Sequence, residues 1–277
     1  MFLAKTKEDL QQVLNSNKDK RIGLVPTMGA LHEGHLSLIQ KAKAETDFVV
    51  VSIFVNPKQF NDPKDLENYP SDLEGDLKKI QEFADCAFCP DINNVYPDDF
   101  KEKYFELDHL EEVMEGKHRK GHFQGVCNIV YILLDLVQPD KAYFGIKDYQ
   151  QLAIIKHMSK VNFPQIEIVP CDIIREENGL AKSSRNLNLS RDEFEKASII
   201  YKNLLEAREM IRSNKSIDQV KEIVQNNFQQ ENIQLEYFEI TDSETLLPVD
   251  QKKSKSRGFI AAYVGNVRLI DNLELIE

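Results

Sequence analysis

The chain has 277 residues, 42% of them hydrophobic, which supports one large or two moderate globular domains and excludes a disordered chain. It carries 35 Lys and Arg against 46 Asp and Glu, and the formal charge of −11 argues against a nucleic-acid surface, which needs a basic footprint. No run of about 18 apolar residues occurs and residues 1–7 lack an apolar signal core, so the reading is a soluble cytoplasmic protein with no membrane partner.

Residues 5–17 read as a helix. Arg21-Ile22-Gly23-Leu24-Val25 reads as a buried strand and runs into Pro26-Thr27-Met28-Gly29-Ala30-Leu31-His32-Glu33-Gly34-His35. Helical period then resumes, so residues 34–46 form a helix and His32 and His35 sit where strand turns into helix. The N–H groups at a helix start and the positive end of its dipole attract phosphate. Imidazoles at i and i+3 share one face and can donate to one phosphate chain, and the glycines let backbone approach a ligand closely.

A second apolar strand, residues 48–53, leads into Phe54-Val55-Asn56-Pro57-Lys58-Gln59-Phe60, where Pro57 ends it. Ligands of open α/β sheets bind beyond the carboxyl ends of parallel strands, which hangs Asn56 and Gln59 over the same crevice as the histidines. Asn56 also reads as a plain turn residue. Ser71-Asp72-Leu73-Glu74 reads as a capping box opening a helix through residue 84, on which Asp72 and Asp76 read as surface acids in preference to metal ligands. Cys86-Ala87-Phe88-Cys89 is formally a C-x-x-C, but no second metal pair accompanies it. Small buried side chains on a strand are the better reading than zinc or redox chemistry.

Residues 91–120 are irregular and charged, the pattern of a long functional loop or insertion, and residues 123–137 are apolar nearly all round, the pattern of a buried helix. The strand Lys141-Ala142-Tyr143-Phe144 leads into Gly145-Ile146-Lys147-Asp148-Tyr149-Gln150-Gln151, where Lys147 can reach a phosphate as a point charge, and residues 148–161 read as a helix. Strand and helix alternate to Cys171, the rhythm of a parallel sheet. The pattern then changes. Lys182-Ser183-Ser184-Arg185-Asn186 is a polar loop whose hydroxyls and guanidinium could embrace a triphosphate. Ser190 with Glu193 caps a long helix to 213, Ser216 starts another, and strands follow at 235–241, 258–264 and 267–270. The boundary falls near residue 174, and the basic run 250–257 reads as a solvated hairpin loop.

The His-x-Gly-His string, the Asn56–Gln59 segment, Gly121-His122-Phe123-Gln124-Gly125-Val126, Gly145 to Gln151 and Lys182 to Asn186 occur together in one order. In that order and spacing the chain resembles, over nearly its whole length, the pantothenate synthetase family of the His-x-Gly-His nucleotidyltransferase superfamily. The resemblance implies a Rossmann-like domain binding ATP and pantoate over residues 1–173, a smaller α+β C-terminal lid over 174–277, and a homodimer. It implies ATP-dependent condensation of pantoate with β-alanine to pantothenate, AMP and pyrophosphate through a pantoyl adenylate, with Mg²⁺ on the triphosphate and no protein metal ligand. Matched positions make His35, His32 and Lys147 catalytic. They assign ATP to Met28, Gly29, Ala30, Leu31, His32, Glu33, Gly34, His35, Gly145, Ile146, Lys147, Asp148, Ile174, Lys182, Ser183, Ser184 and Arg185, and pantoate to Gln59 and Gln151, with Gln59 also near β-alanine.

Lys182 departs from the family's usual apolar residue and reads as pointing to solvent, and His118 and Lys120 replace a small hydroxyl residue and a proline. The alternatives are an adenylyltransferase of cofactor assembly, a metal hydrolase built on His32, His35 and His122, and a nucleotide-binding regulator. A phosphorylated acceptor would need basic groups, whereas Gln59 and Gln151 suit an uncharged polyol acid.

Overall fold

The computed structural model describes residues 1–249 and 255–276, and it divides into two compact units, Met1–Ile146 with Gln151–Asp172, and Lys147–Gln150 with Ile173–Glu277. The first unit is built on six parallel strands, β1 (Phe2–Ala4), β2 (Ile22–Thr27), β3 (Phe48–Ile53), β4 (Cys86–Phe88), β5 (Lys141–Gly145) and β6 (Glu167–Cys171), in the order β1-β4-β3-β2-β5-β6. β2 and β3 are buried almost throughout, which is why Val and Leu runs and not alternating patterns fill them. Strand order reverses at β2, between β3 and β5. Loops leaving the carboxyl ends of these three strands therefore gather at the switch point where open sheets bind ligands.

Helices α1 (Lys7–Asn15), α2 (Glu33–Glu45), α3 (Pro63–Glu67), α4 (Leu73–Ile80), α5 (Ile92–Val95), α6 (Met114–His118), α7 (His122–Val137) and α8 (Tyr149–Asn162) connect the strands. β1 was not legible, being three residues long and paired on one side with β4. Ser71 does not cap α4; Asp72 does, accepting from the Gly75 N–H at 3.0 Å. As expected, α7 is buried on nearly every face. Its side-chain amides hold the irregular stretch before it: Gln124 and Asn128 exchange hydrogen bonds of 2.9–3.1 Å with the backbone N–H and carbonyl of Phe105 and Lys103. Backbone without a sheet partner is thereby satisfied. The cysteines are free, and burial pushes the thiols of Cys86 and Cys127 up to about 12 and those of Cys89 and Cys171 to about 11.

The second unit packs α9 (Arg191–Lys196), α10 (Ile199–Arg212) and α11 (Ile217–Gln230) with an antiparallel sheet of β7 (Gln234–Asp242), β8 (Ser256–Val264) and β9 (Val267–Ile276). Its core includes Leu204, Val220, Phe228, Ile260 and Leu275. The single long helix expected from 190 to 213 is two. Ser198 and Ile200 donate to carbonyls three residues back and tighten a turn that breaks the α-helical ladder. Residues 250–254 of the basic run lie outside the described residues, and Arg257 corrects the solvated reading: it is buried, donates to Asn272 at 2.7 Å and lies over the Tyr149 ring at 4.2 Å.

Arg175 ties this unit together. Its guanidinium donates to both Asp271 oxygens at 2.6 and 3.1 Å and to the Gly179 carbonyl at 3.1 Å, and lies 3.7 Å over Tyr201. Removing one partner from such a buried pair strands the other, so Arg175→Met should cost about 3–5 kcal/mol. Urea denaturation with hydrogen exchange of β9 measures it; a loss below about 1 kcal/mol, the value of an exposed pair, would contradict this account.

Candidate active site

β2 ends in a turn whose backbone takes an uncommon conformation. Thr27 donates its hydroxyl to the Ser52 carbonyl at 2.7 Å, Gly29 takes φ +82° and Ala30 takes φ +49°, so two successive residues are left-handed before Leu31 is buried. The chain then enters α2 through a capping box made of imidazoles. His32 is the N-cap, and its Nδ1 accepts from the Gly34 N–H at 3.1 Å; His35, at the third helical position, accepts at Nδ1 from the His32 N–H at 3.3 Å. The rings lie 4.1 Å apart between centroids. With Nδ1 accepting in both, each neutral ring carries its proton on Nε2. Two N–H donors thus accompany the positive end of a helix at the sheet's switch point.

Beyond β3, the turn Pro57–Gln59 is fixed by Asn56, 1% exposed, whose amide uses every bonding direction available. Its Oδ1 accepts from the Tyr96 hydroxyl at 2.9 Å and the Lys58 N–H at 3.3 Å, and its Nδ2 donates to Gln59 Oε1 and to the Gly125 carbonyl, both at 3.1 Å. Asn56 is more than a turn residue, since it aims Gln59. The Gln59 amide in turn donates to the Met28 sulfur at 2.9 Å, which joins the loops after β2 and β3. Gly125 is required here: a Cβ would overlap the Lys58 carbonyl. His122, buried at the start of α7, donates from Nδ1 to the Gln59 carbonyl at 2.7 Å while its Nε2 accepts from Arg119 at 3.1 Å. It is the opposite tautomer from His32 and His35.

Gly145 ends β5 and Ile146 begins a short helical turn, both in the first unit, as is the half-buried Gln151 in the first turn of α8. Lys147 and Asp148 belong to the second unit, with Lys147 Nζ 3.7 Å from Asp148 and the Lys147 carbonyl accepting from Asn272 at 2.8 Å. Ile174, Lys182, Ser183, Ser184 and Arg185 lie in that unit too. The Lys182 N–H donates to the Ile174 carbonyl at 2.9 Å, and Ser183 caps the turn carrying Ser184 and Arg185. Lys182 does not point to solvent: its ammonium is 2.7 Å from Glu176 and its side chain is 18% exposed.

His118 and Lys120 are exposed. Asp76 corrects the surface-acid reading, being 1% exposed, while Asp72 serves as a cap. Tyr96, Asn272 and the burial of Asp76 were missed because their partners lie 40 or more residues away, and Asn56 depends on partners at that range, Tyr96 and Gly125, beside its local ones, Lys58 and Gln59.

The Pantoate-beta-alanine ligase family model matches residues 3–274. A curated relative named pantothenate synthetase, from Flavobacterium psychrophilum, is 48% identical over 261 residues, covering 92% of each chain. The solved pantothenate synthetase of Thermus thermophilus superposes with a TM-score of 0.95 at 39% identity over the whole of both chains. The pantoate-beta-alanine ligase of Francisella tularensis, solved complexed with beta-gamma ATP and beta-alanine, superposes with a TM-score of 0.82 at 37% identity, over 99% of this chain and 98% of that one.

The capping box makes a separable prediction. Asn is among the best N-caps, so His32→Asn should keep the stability of the chain within about 0.5 kcal/mol, whereas His32→Ala should lose about 1 kcal/mol. Paired urea denaturation curves test it, and equal losses for the two variants would deny His32 its capping role.

Proposed function

This chain belongs to the pantoate–β-alanine ligase family, and from that premise we propose how its residues divide the work of joining pantoate to β-alanine. A carboxylate resists attack by an amine because its oxygen is a poor leaving group. ATP solves this by turning that oxygen into part of AMP, and the Francisella relative's complex with beta-gamma ATP and beta-alanine supports the same pair of ligands here. In the first step the pantoate carboxylate attacks the α-phosphorus and pyrophosphate leaves; in the second the neutral amine of β-alanine attacks the acyl carbon of pantoyl adenylate and AMP leaves. The adenylyltransferase alternative is disfavoured by the family match.

The observation that carries the reading is the imidazole capping box, whose engaged Nδ1 atoms leave the ring protons on two Nε2 atoms at a helix start. His35 and His32 donate to the phosphates as charge gathers on them, and the backbone of Met28 to Leu31 with Glu33 and Gly34 completes the cradle. Lys147 neutralises the transferred phosphoryl group. Gly145, Ile146, Asp148 and Ile174 hold the adenosine side, and Ser183, Ser184 and Arg185 hold the β- and γ-phosphates. Lys182, its ammonium paired with Glu176, contributes to that loop through its backbone. Mg²⁺ arrives with ATP, coordinated by phosphate oxygens. Gln59 and Gln151 bind the hydroxyl and carboxylate groups of pantoate without adding charge, and Gln59 also meets β-alanine. Following the family resemblance, we divide the chain functionally into an ATP- and pantoate-binding domain over 1–173 and a lid over 174–277, working as a cytoplasmic homodimer.

With ATP, Mg²⁺ and pantoate alone, the enzyme should exchange labelled pyrophosphate into ATP, and His35→Ala should slow that exchange by about 10²-fold, the scale of one lost transition-state donor. No pantoate-dependent exchange in protein that binds ATP would overturn the two-step reading. Gln59→Ala and Gln151→Ala should raise the KM for pantoate well above any change in that for ATP; equal effects on both would remove these residues from the pantoate site.

A further inference from the structure

Asp76 is a buried acid that the proposed chemistry does not use. It stands in the middle of α4, 1% exposed, and its Oδ1 accepts from the Leu31 N–H at 2.7 Å. Three residues on, where side chains share a helix face, Lys79 donates to the Leu31 carbonyl at 2.6 Å and lies 3.8 Å from the same Asp76 oxygen. One residue of the loop is therefore held at both its backbone groups by a single charged pair. Leu31 is the link between the two left-handed residues, Gly29 and Ala30, and the His32 cap.

The second Asp76 oxygen has no hydrogen-bond partner and sits 3.1 Å from where a Gly29 Cβ would stand, so the carboxylate also fills the space under the turn. A buried carboxylate with an unsatisfied oxygen is costly. Left-handed conformation at a residue with a Cβ is costly as well, and such strain persists only where surroundings over-determine it. Both costs fall at the same turn.

Resting on the ligase reading above, we infer that Asp76 and Lys79 are positioning residues for the adenylation step: their grip on Leu31 holds the strained turn so that the backbone cradle and the two histidine Nε2–H groups face the phosphates. Neither touches substrate. The grip serves the half-reaction that handles phosphorus and leaves amide formation from preformed adenylate unaffected.

The test separates the halves. Asp76→Ala should slow pantoate-dependent pyrophosphate exchange by about tenfold or more, while discharge of supplied pantoyl adenylate by β-alanine stays within about twofold. Asp76→Asn, whose amide oxygen can still accept from the Leu31 N–H, should restore most of the exchange. Long-range ¹H–¹⁵N spectra give a readout free of turnover: His32 and His35 should show proton-bearing Nε2 in the wild type and lose that uniform pattern in Asp76→Ala. Wild-type exchange and an unchanged imidazole pattern in Asp76→Ala would overturn the inference, as would equal loss of both half-reactions with that pattern intact. If Asp76→Ala does not fold, Lys79→Met decides, since that side chain is 46% exposed. A fall of about threefold or more confined to exchange supports the grip, and wild-type behaviour refutes it. A wild-type chain without pantoate-dependent exchange is a separate failure, that of the ligase reading, and the imidazole spectra then still decide whether Asp76 orders the turn.

Discussion

The first unit's candidate site is organised by how the first turn of α2 is capped. A helix start leaves N–H groups in need of acceptors, and most chains supply a hydroxyl, an amide or a carboxylate. Here two imidazole Nδ1 atoms do so. A serine and glutamate box would satisfy the same N–H groups but carry no ring N–H, and its glutamate would add a second negative charge to a helix start that already holds Glu33. Imidazole performs the local structural task with one nitrogen and presents a proton on the other. In the reading proposed above, folding and chemistry are served by opposite edges of the same rings.

The rest of the first unit's site follows a similar economy of charge. Two anionic substrates must meet on a chain whose formal charge is −11, and the ties that shape the loops are mainly neutral amides and backbone. Asn56 bonds to four groups and orients Gln59, while Gln124 and Asn128 order the segment at Lys103 and Phe105. In the second unit Asn272 takes the Lys147 carbonyl and is itself held by Arg257. Amides fix geometry without adding net charge; the exception is the Met28 to Leu31 turn, left-handed at Gly29 and Ala30, which the charged Asp76 and Lys79 hold at Leu31.

What could be read from sequence was what local patterns encode. β2 and β3, α7, the cap at Ser190, the helix start at Ser216 and the histidine pair each follow from residues within a few positions of one another. β1 escaped because three residues give no period, and the cap of α4 was misplaced by one because Ser71 and Asp72 are both good caps. The break between α9 and α10 depends on a local tightening at Ser198 that helical periodicity passes over. Errors about exposure share a different cause. Asp76, Lys182 and Arg257 all read as solvated charges, and each is drawn inward by a partner: the Leu31 N–H, Glu176 and Asn272. For Asp76 that partner is 45 residues away in sequence; for Lys182 it is near, but facing it requires the chain to turn back at Gly179.

The buried thiols have a use unrelated to catalysis. An alkylating reagent reacts with thiolate, and thiols held at about 11 to 12 contain almost none at neutral pH, whereas an exposed cysteine titrates near about 8.5. All four cysteines fall in the first unit, and Cys86, Cys127 and Cys171 are buried while Cys89 is half-buried, so alkylation of those three in the native chain times the transient opening of that unit while the second contributes no signal. Because Cys86 lies on β4, Cys127 on α7 and Cys171 on β6, the order in which they are modified would map which part of the sheet parts first. The molecule carries its own site-resolved reporter of local unfolding, with no label to introduce.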